Sequence, residues 1–415
     1  MINVFYDSYC ILNKVYSEKS FVKQAINGTF IEEKNRPKTT KIVYGVLDND
    51  IRLSYYISRL CPKNPKLVVR TILKIAMYNI EFLGKSPYAV TDSSVTLCKK
   101  LGKGGMSGFV NAVLRKFIDE IPPLPQEKLQ RLSVEYSYPL FLVKKLISTY
   151  GEDKAIKIMS CDTERTCVRF NKGVNGEEYL DYLRFAYEKT PFDGAYFVNG
   201  FKRNKDFDEG IYTFQSVGSV AICDAVSGGK TLLDACSAPG GKAVNLADKF
   251  EQVTAFELHA HRAQLIEEYA RRMKKTNITV ENRDSSVYDE SLNEKFDAVL
   301  LDSPCSGTGV LKDNPDIKLN RTEEDIKNLI EIQKKLIFTV SNYVKVGGYL
   351  YYSTCSILKE ENADIIGDFL SKTDRFEEEK ILSKLNGIYT KHGLQFTPDV
   401  SFGAGFFVCK LRRIK

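Results

Sequence analysis

The stretch Ile121-Pro122-Pro123-Leu124-Pro125 divides this chain, because no helix can run through it. Each proline lacks a backbone N–H and clashes with a preceding helical turn. The pattern of apolar residues differs on its two sides. Before it, Leu67 to Met77 and Phe109 to Ile118 carry apolar residues three and four apart, as amphipathic helices require. Lys85-Ser86-Pro87 and Gly102-Lys103-Gly104-Gly105 punctuate that pattern. Residues 1–122 are therefore expected to form an all-α domain. Residues 226–415 alternate short apolar runs with helical spacing, which calls for an α/β domain with a mainly parallel sheet. Its strands are expected at Leu232–Cys236, Val253–Phe256, Ile278–Arg283, Phe296–Leu301, Gly348–Tyr352 and Gly405–Leu411. A helix with an acidic, capping-box-like start at Thr322 is expected to run to about Lys345 and stop at Gly347-Gly348. Residues 123–225 mix helical spacing (Pro139–Tyr150) with strand-like alternation (Thr166–Asn171). They read as linker helices and a small α+β subdomain.

The net charge of +7 is unevenly placed. Residues 1–122 hold 19 Lys and Arg against 10 Asp and Glu, while the remainder holds 41 against 43. A basic helical domain suits a polyanion such as RNA, although the same surplus serves solubility equally well. No run approaches the roughly 18 consecutive apolar residues of a membrane span. The N-terminus lacks a basic stretch followed by a long apolar one, so no secretory leader is expected. Ten cysteines without a Cys-x-x-Cys, and only three histidines, give poor zinc-ligand spacing. Free thiols in a reducing cytoplasm are expected, with no metal site and no membrane partner.

Three segments carry chemistry. The first is Asp234-Ala235-Cys236-Ser237-Ala238-Pro239-Gly240-Gly241-Lys242, between a strand and a helix at the carboxyl edge of the sheet, where open α/β sheets bind ligands. It is neither a Gly-x-Gly-x-x-Gly turn nor a phosphate-binding loop; Gly229-Lys230-Thr231 mimics the end of the latter, but Asp224 occupies its first glycine position. A Pro-Gly-Gly turn lets backbone approach a ligand closely. The second is a pair of acids. Glu257 closes the next strand and is placed for ribose hydroxyls, and Asp284 follows the strand after and could meet an adenine amino group. Either acid, taken singly, is as readily an ordinary surface group. The third is Cys305, in Asp302-Ser303-Pro304-Cys305, and Cys355, in Ser353-Thr354-Cys355. Each follows a strand and has small or hydroxyl neighbours that leave room for a substrate. Buried cysteines are usually small hydrophobes, and Cys10, Cys61, Cys98, Cys161, Cys167, Cys223 and Cys409 are read that way. A pyrimidine attacked at C6 and alkylated at C5 needs two such groups: one sulfur to add to the ring and a second group to help remove the C5 proton. Asp302, three residues before Cys305, could stabilise the ring as charge builds at N3 if it is held protonated or accepts from the exocyclic amine.

These segments together resemble the RNA cytosine-C5 methyltransferases that use S-adenosyl-L-methionine. Cys236 to Lys242 looks like that family's cofactor loop, and the two cysteine segments look like its two cysteine motifs. Asn314-Pro315-Asp316-Ile317-Lys318 and Glu360-Glu361-Asn362 also match. Leu73 to Tyr78 and Gly108 to Lys116 resemble the NusB-like RNA-binding helical domain. Tyr136-Ser137-Tyr138-Pro139 and Val168-Arg169-Phe170-Asn171 resemble the small RNA-binding subdomain that precedes the catalytic domain in this family. NusB-like plus methyltransferase is the layout of the bacterial Sun/RsmB type, which methylates one cytosine of 16S ribosomal RNA.

The resemblance implies a multidomain protein: a NusB-like domain over 1–122, an α+β RNA-binding subdomain within 123–225 and a Rossmann-like methyltransferase domain over 226–415. It implies Cys355 as the nucleophile, Cys305 as the group that assists product release, and Asp302 between cofactor and target base. Cys236, Ser237, Ala238, Pro239, Gly240, Gly241, Lys242, Glu257, Asp284 and Asp302 would hold the cofactor. Arg115, Lys116, Arg169, Asn171 and Lys318 would meet RNA, naked or partly assembled 16S rRNA bound by a monomer. Departures from the family pattern are Glu257 for the usual Asp, Ala243 for Thr, Asp313 for a basic residue, and Ser216 after Gln215 for Asp. The alternatives are the same chemistry on tRNA, or a non-catalytic RNA-binding assembly factor.

Overall fold

The computed structural model describes residues 1–161 and 165–415. They form two compact units: residues 1–160 with 314–321, and residues 161–313 with 322–415.

The first unit is helical throughout. Its central helix, Leu67–Glu81, buries Val69 and every residue from Thr71 to Asn79. A helix apolar nearly all round must be enclosed, and helices Ile2–Glu18, Arg36–Asp48, Asp50–Leu60, Pro87–Lys100 and Ser107–Asp119 surround it. The shared core includes Phe5, Leu12, Val46, Leu53, Ile72, Met77, Leu97, Leu114 and Phe117. Lys74 lies inside this core, where Asp50 neutralises it at 2.5 Å. The proline stretch is irregular, and helices Lys128–Tyr136, Leu140–Tyr150 and Glu152–Ser160 complete the unit.

The second unit holds two sheets. A small antiparallel one is built from β1 (Cys167–Phe170), β2 (Tyr187–Lys189), β3 (Ala195–Val198) and β4 (Tyr212–Phe214), in the order β2-β3-β1-β4. All four residues of β1 are buried, because both faces of the strand are covered. Val168 and Phe170 enter an aromatic core with Tyr196, Phe207 and Tyr212, while Cys167 joins a core with Phe197 and Val217.

The large sheet contains β5 (Gly229–Asp234), β6 (Phe250–Glu257), β7 (Ile278–Asn282), β8 (Phe296–Asp302), β9 (Val344–Thr354), β10 (Phe376–Glu379), β11 (Ile388–Tyr389), β12 (Leu394–Phe396) and β13 (Phe406–Arg413). Its order is β11-β12-β13-β9-β8-β5-β6-β7, with β10 on β13. β5 through β9 are mutually parallel, and β13 runs antiparallel to β9. The chain leaves β5 toward β6 and β7, then crosses back to place β8 on the other side of β5. That reversal opens a crevice at the carboxyl ends of β5 and β8.

One expectation is corrected. The helix opened by Thr322 does carry a capping box with Asp325, but it ends at Ser341 rather than near Lys345. Gly347 and Gly348 lie inside β9, where the register against β8 shifts and Gly347 has φ 82°. A Cβ on Gly348 would fall 2.7 Å from the Asp297 carbonyl. The glycines therefore accommodate a strand irregularity rather than a helix stop.

Candidate active site

Because β5 to β9 are parallel, their carboxyl ends deliver five loops to one edge of the sheet. β5 ends at Asp234 and leads into Cys236–Lys242; β6 ends at Glu257; β7 leads to Asp284; β8 ends at Asp302 and leads to Cys305; β9 ends at Thr354, just before Cys355.

The Cys236–Lys242 loop turns at Gly240, whose φ of 99° favours glycine and whose Cβ would meet Ile266 at 3.1 Å. Lys242 opens the following helix and donates to Asp302 Oδ2 at 2.6 Å, while Ser353 Oγ donates to Asp302 Oδ1 at 2.7 Å. Burial pulls the Lys242 ammonium down, but Asp302 outweighs it and holds the group well above its ordinary range. Asp234 is 1% exposed, and among the described residues neither of its oxygens has a well-placed hydrogen-bond partner. Burial, then the charge of Asp302, pushes its carboxyl up to about 7. The buried Ser237 hydroxyl likewise has no well-placed partner among them. Asp234 meets only the neighbouring Ser237 hydroxyl and Cys236 N–H, in contacts too poorly aligned to satisfy it, and such under-satisfied buried groups suit a loop that awaits a polar ligand. The Cys236 thiol is driven far up by burial and by Asp234, so it is a poor nucleophile.

Glu257 is buried, and its Oε1 accepts from the His259 N–H at 3.0 Å and from Arg262 at 3.4 Å. Arg262 also donates to the Ala238 carbonyl at 3.1 Å, which ties the acid to the loop. Asp284 is half-buried and accepts from the Ser286 N–H at 2.8 Å. Nothing in the local sequence marked Arg262 in advance.

The two thiols meet. Cys305 Sγ and Cys355 Sγ are 3.3 Å apart; Cys355 is exposed and Cys305 half-buried. The hydrogen bond from the Cys305 thiol holds Cys355 below the ordinary thiol range. The same contact, with burial, holds Cys305 well above it. The pair is thus polarised, with thiolate character on Cys355 and the proton on Cys305.

The expected RNA contacts divide. Arg115 and Lys116 are exposed on helix Ser107–Asp119. The other three are committed to partners inside the protein, in place of the RNA-facing positions expected. Arg169 is buried and donates to Gln215 Oε1 at 2.6 Å. Asn171 donates to the carbonyls of Gly210 and Met273 and accepts from Lys275. The Lys318 side chain is 1% exposed, bound to Asp48 at 2.5 Å and stacked over Tyr138. Removing one partner of such a buried pair costs about 3 kcal/mol. Lys318→Ala is therefore expected to lower stability in denaturant titrations by about that amount while leaving the salt dependence of RNA binding unchanged.

Comparison with known proteins defines the class. Residues 222–412 match the family model of 16S rRNA methyltransferase RsmB/F, and residues 7–119 match the NusB family. Fold and comparison together define a methyltransferase with a helical NusB-type region ahead of its α/β domain. The chain is 33% identical to the probable ribosomal RNA small subunit methyltransferase B of Bacillus subtilis (strain 168), over 97% of this chain and 95% of that one. It is 29% identical to ribosomal RNA small subunit methyltransferase B of Pasteurella multocida (strain Pm70), over 92% of this chain and 90% of that one. The chain belongs to the RsmB/F family of 16S rRNA methyltransferases. Among solved structures, the crystal structure of PH0851 aligns with a TM-score of 0.83 at 22% identity, covering 99% of this chain and 98% of that one. A methyltransferase homolog protein from Pyrococcus horikoshii aligns with a TM-score of 0.61 at 24% identity, covering 70% and 100%. These two likenesses concern the fold alone.

Proposed function

We propose that this chain methylates C5 of a cytosine in small-subunit ribosomal RNA, through a transient bond between Cys355 and C6. The observation that carries this reading is the thiol pair, 3.3 Å apart, at the ends of adjacent parallel strands. S-adenosyl-L-methionine, when bound, supplies the methyl group as an electrophile. The Cys236–Lys242 loop, Glu257, Asp284 and Asp302 would hold it, and the under-satisfied polar atoms of Asp234 and Ser237 fit such a ligand.

The chain's own residues do the rest. The Cys355 thiolate adds to C6, and the C5=C6 electron pair moves to C5, with charge spread toward N3 and O2. Lys242 and Asp302 lie beside the thiols and offer a donor and an acceptor to the polar edge of the ring. C5, now electron-rich, takes the methyl group. Cys305 gives its own proton to solvent, and the resulting thiolate takes the C5 proton; the C5–H electron pair then rebuilds the C5=C6 bond, the sulfur–C6 bond breaks and the Cys355 thiolate returns. The base must leave its stack to reach these groups.

The NusB-type region favours ribosomal RNA over tRNA, and its basic surplus supplies electrostatic attraction to naked or partly assembled 16S rRNA. We also propose action as a monomer in the cytoplasm; among the described residues, no helix is long and apolar enough to cross a membrane. Incubation with 16S rRNA and the cofactor, followed by bisulfite sequencing, is expected to show one protected cytosine. Methyl transfer with no protected cytosine would exclude C5 chemistry, and transfer to tRNA alone would exclude the ribosomal substrate. Arg115→Gln with Lys116→Gln is expected to flatten the slope of log affinity against log salt by about 2, as two lost phosphate contacts would. An unchanged slope would remove these residues from the interface.

A further inference from the structure

Glu361 is fully buried directly behind the thiol pair. Its Oε1 accepts from the Ser306 N–H at 2.8 Å, and its Oε2 accepts from the Ser306 hydroxyl at 2.5 Å and the Ser356 hydroxyl at 2.6 Å. Ser306 follows Cys305 and Ser356 follows Cys355, so one carboxylate grips the residue after each cysteine. The residues before them are held as well. Gln333 Nε2 donates to the Pro304 carbonyl at 2.9 Å and to Glu361 Oε1 at 3.1 Å. The Thr354 hydroxyl donates to Asn362 Oδ1 at 2.6 Å, and Asn362 Nδ2 donates to the Ser356 carbonyl at 2.9 Å. All of these polar groups except the Pro304 carbonyl belong to residues at most 1% exposed.

A solvent-free carboxylate with four donors is not needed to hold a turn, since apolar packing would serve at lower desolvation cost. Its placement makes sense as a clamp, because it can reach both loops only when they stand at one separation. Charge-assisted bonds of this length resist the small shifts that would draw the touching sulfurs away from each other.

We propose that Glu361 is the positioning residue of the cysteine pair: by bonding Ser306 and Ser356 together it sets the distance between the attacking sulfur and its partner. Asn362 and Gln333 secure the outer flank of each cysteine, which gives the Glu361-Asn362 segment a physical role. This inference rests on the reading that the two cysteines perform the chemistry.

The test uses the full chain with Glu361→Ala and Glu361→Gln. Dibromobimane, which bridges two neighbouring thiols with loss of two bromides, reports thiol separation independently of activity, and peptide mapping identifies Cys305–Cys355 bridges. In Glu361→Ala the bridging rate is expected to fall at least fivefold. Its kcat should fall about 100-fold, the scale of a loss caused by roughly 1 Å of misplacement. Its KM for RNA and its cofactor affinity should stay within about twofold, since neither ligand touches Glu361 in this scheme. Glu361→Gln keeps one carbonyl acceptor and should recover some of both losses; should the alanine variant not fold, the glutamine variant alone decides. A folded variant that bridges at the wild-type rate, or one that keeps wild-type kcat, overturns the proposal. If wild-type protein fails to methylate RNA, the functional reading fails, and the bridging comparison still decides whether Glu361 sets the pair.

Discussion

Cys355→Ala is expected to abolish methyl transfer, with a fall in kcat of at least about 10⁴-fold, the scale seen when an enzyme loses its nucleophile. Its affinity for the cofactor should be unchanged, because Cys355 is not among the residues proposed to hold it. Cys305→Ala should also stop turnover, for a different reason. The C6 bond still forms, but its breakdown loses its assistant. The two variants therefore separate in thiol chemistry as well as in rate. In Cys305→Ala the remaining Cys355 loses the hydrogen bond that holds it below the ordinary thiol range. The midpoint of its alkylation by iodoacetamide should move to higher pH, since a thiolate without its donor is harder to form. In Cys355→Ala the midpoint for Cys305 should move the other way, because the contact that held it high is gone. Shifts in the same direction would contradict the polarised pair.

Lys242→Met is expected to cost about 3 kcal/mol of stability, because it leaves Asp302 without its counter-ion in a largely enclosed site. The loss should depend on pH. Native Asp234 is pushed up to about 7 from an ordinary value of 3.8, so the folded chain holds its proton where the unfolded chain has released it. Stability from this group therefore declines as pH rises from about 4 to about 7 and stays low above that. Lys242 is a nearby cation that eases this burden. Removing it should carry the decline on to higher pH, so the variant's deficit at about pH 8 should exceed that at about pH 5. Denaturant titrations at the two pH values measure it. Methyl transfer should fall as well, through loss of the donor beside the ring. A deficit independent of pH would show that Lys242 contributes packing only.

The architecture was readable where apolar periodicity and chain punctuation agree. The enclosed helix Leu67–Glu81 and the strands ending at Asp234, Glu257 and Asp302 follow from runs that only a core can satisfy. Their parallel order then gathers the five loops, which is why residues spread from Asp234 to Cys355 converge. Gly347-Gly348 misled because a glycine pair marks a backbone departure without saying whether a helix or a strand makes it. The fates of Arg169 and Lys318 were illegible for another reason. Charge and spacing do not reveal that Gln215 and Asp48, distant in sequence, wait inside as partners. Glu361 was visible only within a motif; that one carboxylate spans both cysteine loops is a fact of tertiary structure.

The central claim, that Cys355 attacks and Cys305 releases, is tested most directly by trapping the intermediate. Cys305→Ala protein is incubated with 16S rRNA and S-adenosyl-L-methionine, denatured, digested with nuclease and protease, and analysed by mass spectrometry for a peptide bearing a nucleotide. The expected result is a methylated cytidine nucleotide attached to the peptide containing Cys355, and none with Cys355→Ala. A nucleotide attached through Cys305 in the Cys355→Ala protein, or no attachment in either variant, would contradict it.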